Sequence, residues 1–327
     1  VDGNGEIATL TRQITQQVVA WTRQITEGNF ESVAVIPGES EDDQVWFIVN
    51  RTIDGNTKRY VEYLKPIDYG EEQEDGFFVD CGLTLDNPVD ITNASQTKPV
   101  VITAAGHGLT NGDKVTIRSV EGMEDLNQKK YVVAGVAGAD FDLTDSDGND
   151  IDGTGYDAYE EGGESRKCSS SVSNLEHLEG KEVDLLVDGA TSPAKTVASG
   201  GITIDAATGE GGEIHAGLGY DSTLKTMRLE AGSTLGTAQT KIKRIHKAAI
   251  RLYETIGCSI GDEDNQDVIP FRSTSMDMDK PIPLFTGDKE LQFPVGYNKD
   301  AFIVVVQEQP LPLNILAIVA YAEVYEG

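Results

Sequence analysis

The longest apolar stretch of the chain runs from Asp300 to Tyr325. Phe302–Val306 are five consecutive strand-formers, a break follows over Gln307–Pro312, and apolar residues resume over Leu313–Tyr321. Runs without polar alternation suit strands covered on both faces. Two buried strands are therefore expected, meeting at an elbow held by Pro310 and Pro312, each of which lacks the N–H a ladder needs. These two strands would form the centre of a β-rich domain over residues 164–327. Within it, Lys181–Gly189 and Gly201–Ile204 also read as strands, and Gly217–Tyr220 leads into Leu224–Glu230 and a flexible Gly232–Gly236 connection. Lys241–Ile256 fits a long strand or a helix: Thr240, Ile242 and Ile245 favour the strand, and Ala248-Ala249 weakens that choice.

Upstream, the apolar runs are shorter and punctuated by turn residues. Residues 1–66 read as a β meander of five strands: Ile7–Thr11, Gln17–Thr22, Ser32–Ile36, Val45–Val49 and Arg59–Leu64. Glu27-Gly28-Asn29, Pro37-Gly38 and Asp54-Gly55-Asn56 separate them, the last being a strong hairpin signal. Four or five strands in about fifty residues is the size of one β-propeller blade. One blade does not bury both of its faces, so this sheet either packs on the downstream domain or belongs to a propeller continuing upstream. Residues 67–91 form a connection, with an acidic turn at Glu71–Gly76 and a strand at Phe77–Cys81. Residues 92–163 carry four short strands, Val100–Thr103, Lys114–Ile117, Lys130–Val133 and Asp140–Leu143, around His107–Asp113. That pattern suits a small inserted β barrel near the lower size limit for independent folding. The predicted class is all-β and multidomain.

The run Ala20–Arg23, Glu31–Gly38, Asp43–Gly55 and Arg59–Glu62 resembles tail nozzle proteins of short-tailed bacteriophages, also called tail tubular protein B or stabilisation proteins. Leu175–Gly180, Phe285–Asp288 and Pro310–Ala317 are similar to the same family, and together the likeness covers residues 1–91 and 164–327. The resemblance implies a homohexameric tube in the virion tail, assembled in the host bacterial cytoplasm. The tube would sit below the portal and adaptor, beside tail fibre or spike proteins, and carry DNA outward without binding it specifically. Within the insert, His107–Asp113, Gly122-Met123, Leu126-Asn127 and Tyr131–Val133 are similar to the first catalytic cysteine half-domain of ubiquitin-activating enzymes, a module that phage tail proteins also carry. No cysteine lies in this segment, so no thioester chemistry accompanies the likeness.

Charge narrows the functions open to the chain. Its 327 residues hold 26 basic and 55 acidic side chains, a formal charge of −29. A general basic surface for nucleic acid is excluded, since phosphate would be repelled. Six copies would carry 6 × 29 = 174 negative charges, enough for a wall along which DNA slides. High glycine (35) and low aromatic content (7%) favour short strands. Cys81, Cys168 and Cys258 are odd in number and widely spaced, and read as free, mostly buried thiols. The terminal apolar run, interrupted by Pro312 and Asn314, is shorter than the ~20 apolar residues a helical span requires.

Candidate chemistry is sparse. Asp145–Asp150 starts like a calcium loop, but Asp150 stands where the template needs Gly and Tyr156 where it needs Glu. His107, His177, His215 and His246 are scattered, without metal-type partners at short spacing. No cofactor motif and no catalytic constellation is present. Lys241, Lys243, Lys247 and Arg251 alternate onto one strand face, with Arg244 and His246 opposite. This stripe reads either as a solvated face balancing carboxylates or as a subunit interface. Beside the tube, two other functions are open: a host-surface carbohydrate-binding module using Tyr156 and Tyr159, and an envelope hydrolase. An enzyme is not expected.

Overall fold

Residues two apart in the sequence share a face of each regular strand, and strands are the dominant element among the described residues. The computed structural model describes residues 1–15, 17–38, 43–66, 68–70, 73–230, 237–276, 281–294 and 296–325. These are nearly all β, with short 3-10 turns at Gln73–Asp75, Glu124–Leu126 and Glu176–Leu178. The chain divides into two units, one built from Val1–Asp68 and Cys81–Leu218, the other from Tyr69–Asp80, Gly219–Met276 and Ile282–Gly327. The single domain expected over 164–327 is thus divided at Leu218. Its first part shares an apolar core with the N-terminal sheet rather than with the C-terminal strands. Glu71, Glu72 and the Gly232–Gly236 connection lie outside the described residues.

In the first unit, β1 (Ile7–Gln13) and β2 (Val18–Gln24) form a hairpin of their own, while β3 (Asn29–Ile36), β4 (Gln44–Ile53) and β5 (Asn56–Tyr63) form a three-stranded meander. The five strands therefore do not make one blade. On β4, Phe47, Val49, Arg51 and Ile53 alternate inward and are buried. Ile53 joins a core of Leu175, Leu178, Val183, Leu185 and Ile214, against which Tyr60 also packs. Each such aliphatic side chain contributes about 1.5–3 kcal/mol on burial. Of the two arrangements open to this sheet, the structure contains the first: one face packs on the downstream core.

That core belongs to a four-stranded sheet of β6 (Asp80–Asp86), β15 (Glu182–Val187), β16 (Ala190–Thr196) and β18 (Glu213–Leu218), in the order β16-β15-β18-β6. Between β6 and this sheet's later strands lies the inserted barrel. It comprises β7 (Pro88–Asp90), β8 (Asn93–Ala94), β9 (Val101–Thr103), β10 (Lys114–Val120), β11 (Lys129–Ala137), β12 (Asp140–Thr144) and β13 (Gly162–Lys167). Their order is β7-β13-β10-β11-β12-β9-β8. The two ends of this list are one extended segment: its first half pairs with β13 and its second with β9, and the Ile91 N–H donates to Gly163 O at 2.8 Å. One segment serving both edges closes the sheet, which removes the open edges a small barrel would otherwise expose. Val115, Ile117, Met123, Leu126, Phe141 and Leu143 fill the interior. The chain then runs through β14 (Ser171–Val172), β15 (Glu182–Val187), β16 (Ala190–Thr196), β17 (Ile202–Thr203) and β18 (Glu213–Leu218), with β14 pairing β17.

The second unit contains two sheets. β19 (Ser222–Lys225), β24 (Val304–Gln307), β21 (Ser259–Gly261) and β22 (Gln266–Val268) form one in that order; β23 (Phe285–Gln292), β20 (Ile242–Thr255) and β25 (Ile315–Tyr325) form the other. β20 is a strand, so its β-branched start decides over Ala248-Ala249. The two terminal apolar strands do not pair with each other, and they differ in burial. β24 is covered almost throughout, whereas β25 exposes Leu316, Val319, Tyr321 and Tyr325. An unbroken apolar run is here a one-sided strand at a sheet edge, with β20 along one side. The elbow between them is fixed by side chains: Gln307 Nε2 donates to Ile256 O at 2.7 Å, and Asn314 N–H donates to Thr255 Oγ1 at 2.8 Å. The Ile256 N–H in turn donates to Pro312 O at 3.2 Å. Gln307→Leu removes a buried donor and leaves a carbonyl without it. We expect urea unfolding of this unit to shift by about 1–3 kcal/mol, and an unchanged midpoint would show the elbow does not depend on that bond.

Candidate functional site

The cationic stripe is placed on β20, but not on one face. β20 carries a bulge between Ile245 and Lys247, where His246 is the extra residue and both His246 and Lys247 lie against the ring of Tyr321. One added residue reverses the phase of the alternation. Lys243 therefore points inward and is 1% exposed, its Nζ donating to Ala238 O at 2.9 Å and Leu229 O at 3.2 Å. Lys247 and Arg251 share the outward face, and Arg244 stands over the ring of Tyr297. Lys241 precedes the strand, its N–H donating to Ala238 O at 3.2 Å.

The outward cations are balanced within their own sheet. β23 runs beside β20 with Arg251 opposite Asp288 and Ala249 opposite Glu290. Arg251 grips Asp288 through two bonds of 2.7 and 2.8 Å, and Lys247 is ion-paired with Glu290. The bonds from Arg251 hold the Asp288 carboxyl below the ordinary Asp range, and the bond to Glu290 raises the Lys247 ammonium above its own. Lys247 and Arg251 are thus balanced by carboxylates of their own sheet, and Lys243 serves as an internal tie.

A second constellation, without any spacing signal in the sequence, joins the barrel to the four-stranded sheet. On the barrel's outer face Thr116 lies opposite Arg166, and Arg118 opposite Glu164. Arg166 Nη1 donates to Glu213 Oε2 at 2.6 Å and is bonded to Asp86, while its Nη2 donates to Glu164 Oε2 at 2.7 Å. Arg118 Nη1 lies 3.0 Å from the same Glu213 oxygen. The Arg166 and Glu213 side chains are 4% and 6% exposed. His215, two residues along β18, bonds Thr84 Oγ1 through Nδ1 at 2.8 Å. Beyond this buried centre, Lys130 pairs with Asp188 at 3.0 Å and Lys114 with Glu210 at 3.4 Å. The barrel thus offers Lys114, Arg118, Lys130 and Arg166, and the sheet and its loops offer Asp86, Asp188, Glu210 and Glu213. Gly212 permits the approach, because a Cβ there would come within 2.0 Å of Thr116 Oγ1.

The remaining candidates are absorbed locally. Asp145 accepts the N–H groups of Asp147 and Asn149 at 2.9 and 2.8 Å, so its carboxylate closes its own turn. Tyr156 and Tyr159 pack against the barrel core, and the Tyr159 hydroxyl donates to Ile91 O and Gly162 O. His107 Nδ1 accepts the Leu109 N–H at 2.9 Å, within its own loop. His177 Nε2 lies 2.9 Å from Cys81 O. Cys168 and Cys258 are buried, and burial pushes their thiols up to about 12 and about 11, which keeps them protonated and unreactive at neutral pH. Among the described residues no group of three or more His, Cys, Asp or Glu side chains is arranged to hold a metal, and no helix is long and apolar enough to cross a membrane. No family model and no curated protein matches the chain.

Two outcomes test these assignments. Glu213→Leu leaves Arg166 and Arg118 without their shared counter-ion and should lower stability by about 3–5 kcal/mol, whereas adding Arg166→Met should recover part of that loss; additive losses would show that the pair is not coupled. Because the Asp288 pKa is lowered on folding, its ion pair stabilises the fold above the unfolded-state Asp value and that contribution fades as pH falls through the lowered one. An NMR carboxyl titration should place Asp288 below its position in Arg251→Ala, and equal midpoints would show that the pair does not persist in solution.

Proposed function

We propose that this chain is a structural subunit of a bacteriophage tail nozzle, assembling with copies of itself into a tube through which DNA leaves the particle. The observation that carries this reading is the convergence of segments bearing the resemblance. Arg59–Glu62 on β5 and Leu175–Gly180, more than a hundred residues later, meet where the Tyr60 hydroxyl bonds His177 O at 3.3 Å. Leu175 and Leu178 lie fully buried in the core that receives Ile53. Lys181, just beyond, is ion-paired with Glu27 between β2 and β3. The motifs are thus working parts of one scaffold, which is what a mechanical role requires.

The charge balance supports the same reading. At −29 per chain, a ring of copies presents a field that keeps phosphate from adhering. Imaging of the purified full-length protein by electron microscopy tests the proposal: rings or short tubes with an open centre are expected, six-fold by the family resemblance. A strictly monomeric, ring-free species would overturn it.

A further inference from the structure

We propose that the β1–β2 hairpin is a docking arm that seats on the acidic surface of a second copy of this chain. The arm is held at its root and exposed beyond it. The Phe30 N–H donates to Gly5 O at 2.9 Å, and the buried Arg51 donates to Thr26 Oγ1 at 2.8 Å while gripping Glu62 through two bonds of 2.7 Å. From that root two strands of seven residues project, a length of roughly 23 Å at ~3.3 Å per residue. Leu10 pairs with Trp21 and Arg12 with Val19 on one face, while Thr11–Ala20 and Gln13–Val18 occupy the other. Both faces are open: on the first, Val19 and Trp21 are 63% and 68% exposed, on the other Val18 is 39% exposed, and Ile14 beyond β1 is 74% exposed. Among the described residues no strand pairs with either outer edge.

An isolated two-stranded hairpin is marginal in water, and an edge meant to stay unpaired carries lysine, proline or inward charge. Neither Lys nor Pro occurs in residues 7–26. The occupant is indicated by charge. Residues 7–26 contain Arg12 and Arg23 and not one Asp or Glu, a net +2 in a chain of −29. The rest therefore carries 24 basic and 55 acidic residues, or −31. Arg23 lies 3.6 Å from Glu6 at the root yet keeps 69% of its side chain exposed. Two copies repel each other over most of their surfaces, and the arm is the segment whose charge is opposite to the remainder. Its apolar residues then supply the contact area that ion pairs alone do not. An arm on a dissimilar surface is a heterologous contact, which propagates into rings or filaments rather than closed pairs. The inference needs only a second copy of the chain and stands apart from the tail reading.

Sedimentation across a concentration series, with hydrogen exchange on the same samples, tests it. Amides of Val18–Gln24 should gain protection as the protein associates, and higher salt should weaken the association. Arg12→Glu/Arg23→Glu and, separately, Trp21→Ser should weaken it by about 10- to 100-fold. Unchanged exchange in β15 would show that both variants remain folded. Variants that assemble as the parent does would overturn the arm while leaving a tube intact. A parent chain that stays monomeric, or hairpin amides protected only when a different protein is added, would overturn it as well.

Discussion

The contact between Arg166 and Glu213 sets how the first unit is put together. A barrel whose large apolar side chains mostly fill its own core leaves attachment to the polar residues of its outer face, where Thr116, Arg118, Glu164 and Arg166 stand. Removing two guanidinium groups from water costs several kcal/mol each unless every lobe meets a carboxylate in good geometry. Glu213 meets both, and Asp86 and Glu164 complete the set. Few orientations of the barrel satisfy all of these at once. The ionic junction therefore selects an orientation more than it adds stability, and the bare Cα of Gly212 beneath Thr116 sets how closely the two parts approach.

Around that junction the apolar residues form separate cores. Ile102, Ile117, Met123 and Phe141 belong to the barrel, while Leu175, Leu178, Leu185 and Ile214 belong to the sheet that also receives Ile53. Two cores linked by matched charges give a module that is independently filled yet not free to swing. The same economy governs β20 in the second unit. There a bulge turns Lys243 inward to tie backbone carbonyls, and leaves Lys247 and Arg251 to neutralise the carboxylates of β23.

Much of the strand content was legible, because alternation and turn residues are local properties. The hairpin at Asp54-Gly55, the four barrel strands and the β-branched start of β20 all lie close to where the pattern places them. Pairing was not legible. Phe302–Val306 and Leu313–Tyr321 read as two central strands, yet they enter different sheets, and the second lies at an edge with one face open. An apolar run reports that a residue tolerates burial, not that a partner arrives to bury it. The Lys241–Arg251 stripe failed for a related reason: strict alternation assumes no bulge, and the extra residue at His246 depends on the register of β25. Arg166 and Glu213 carried no signal at all, since they lie far apart in the chain and meet only through the closed barrel.

Electrostatics then limits where such a molecule can meet its own kind. An acid excess of this size makes every unneutralised patch repulsive to an identical patch, so association concentrates where charge is cancelled or reversed. Within the second unit, the outward face of β20 is largely cancelled where Lys247 and Arg251 pair with Glu290 and Asp288, with Val319 and Tyr321 of β25 beside them. Within the first unit, the acid-free hairpin is reversed. A cancelled surface tolerates contact but does not attract over distance, whereas a reversed one does both at separations within the ~8 Å Debye length of physiological salt. For the proposed association the ordering follows from charge alone: encounter between copies would begin at the hairpin, and neutral surfaces would only consolidate what it had brought together.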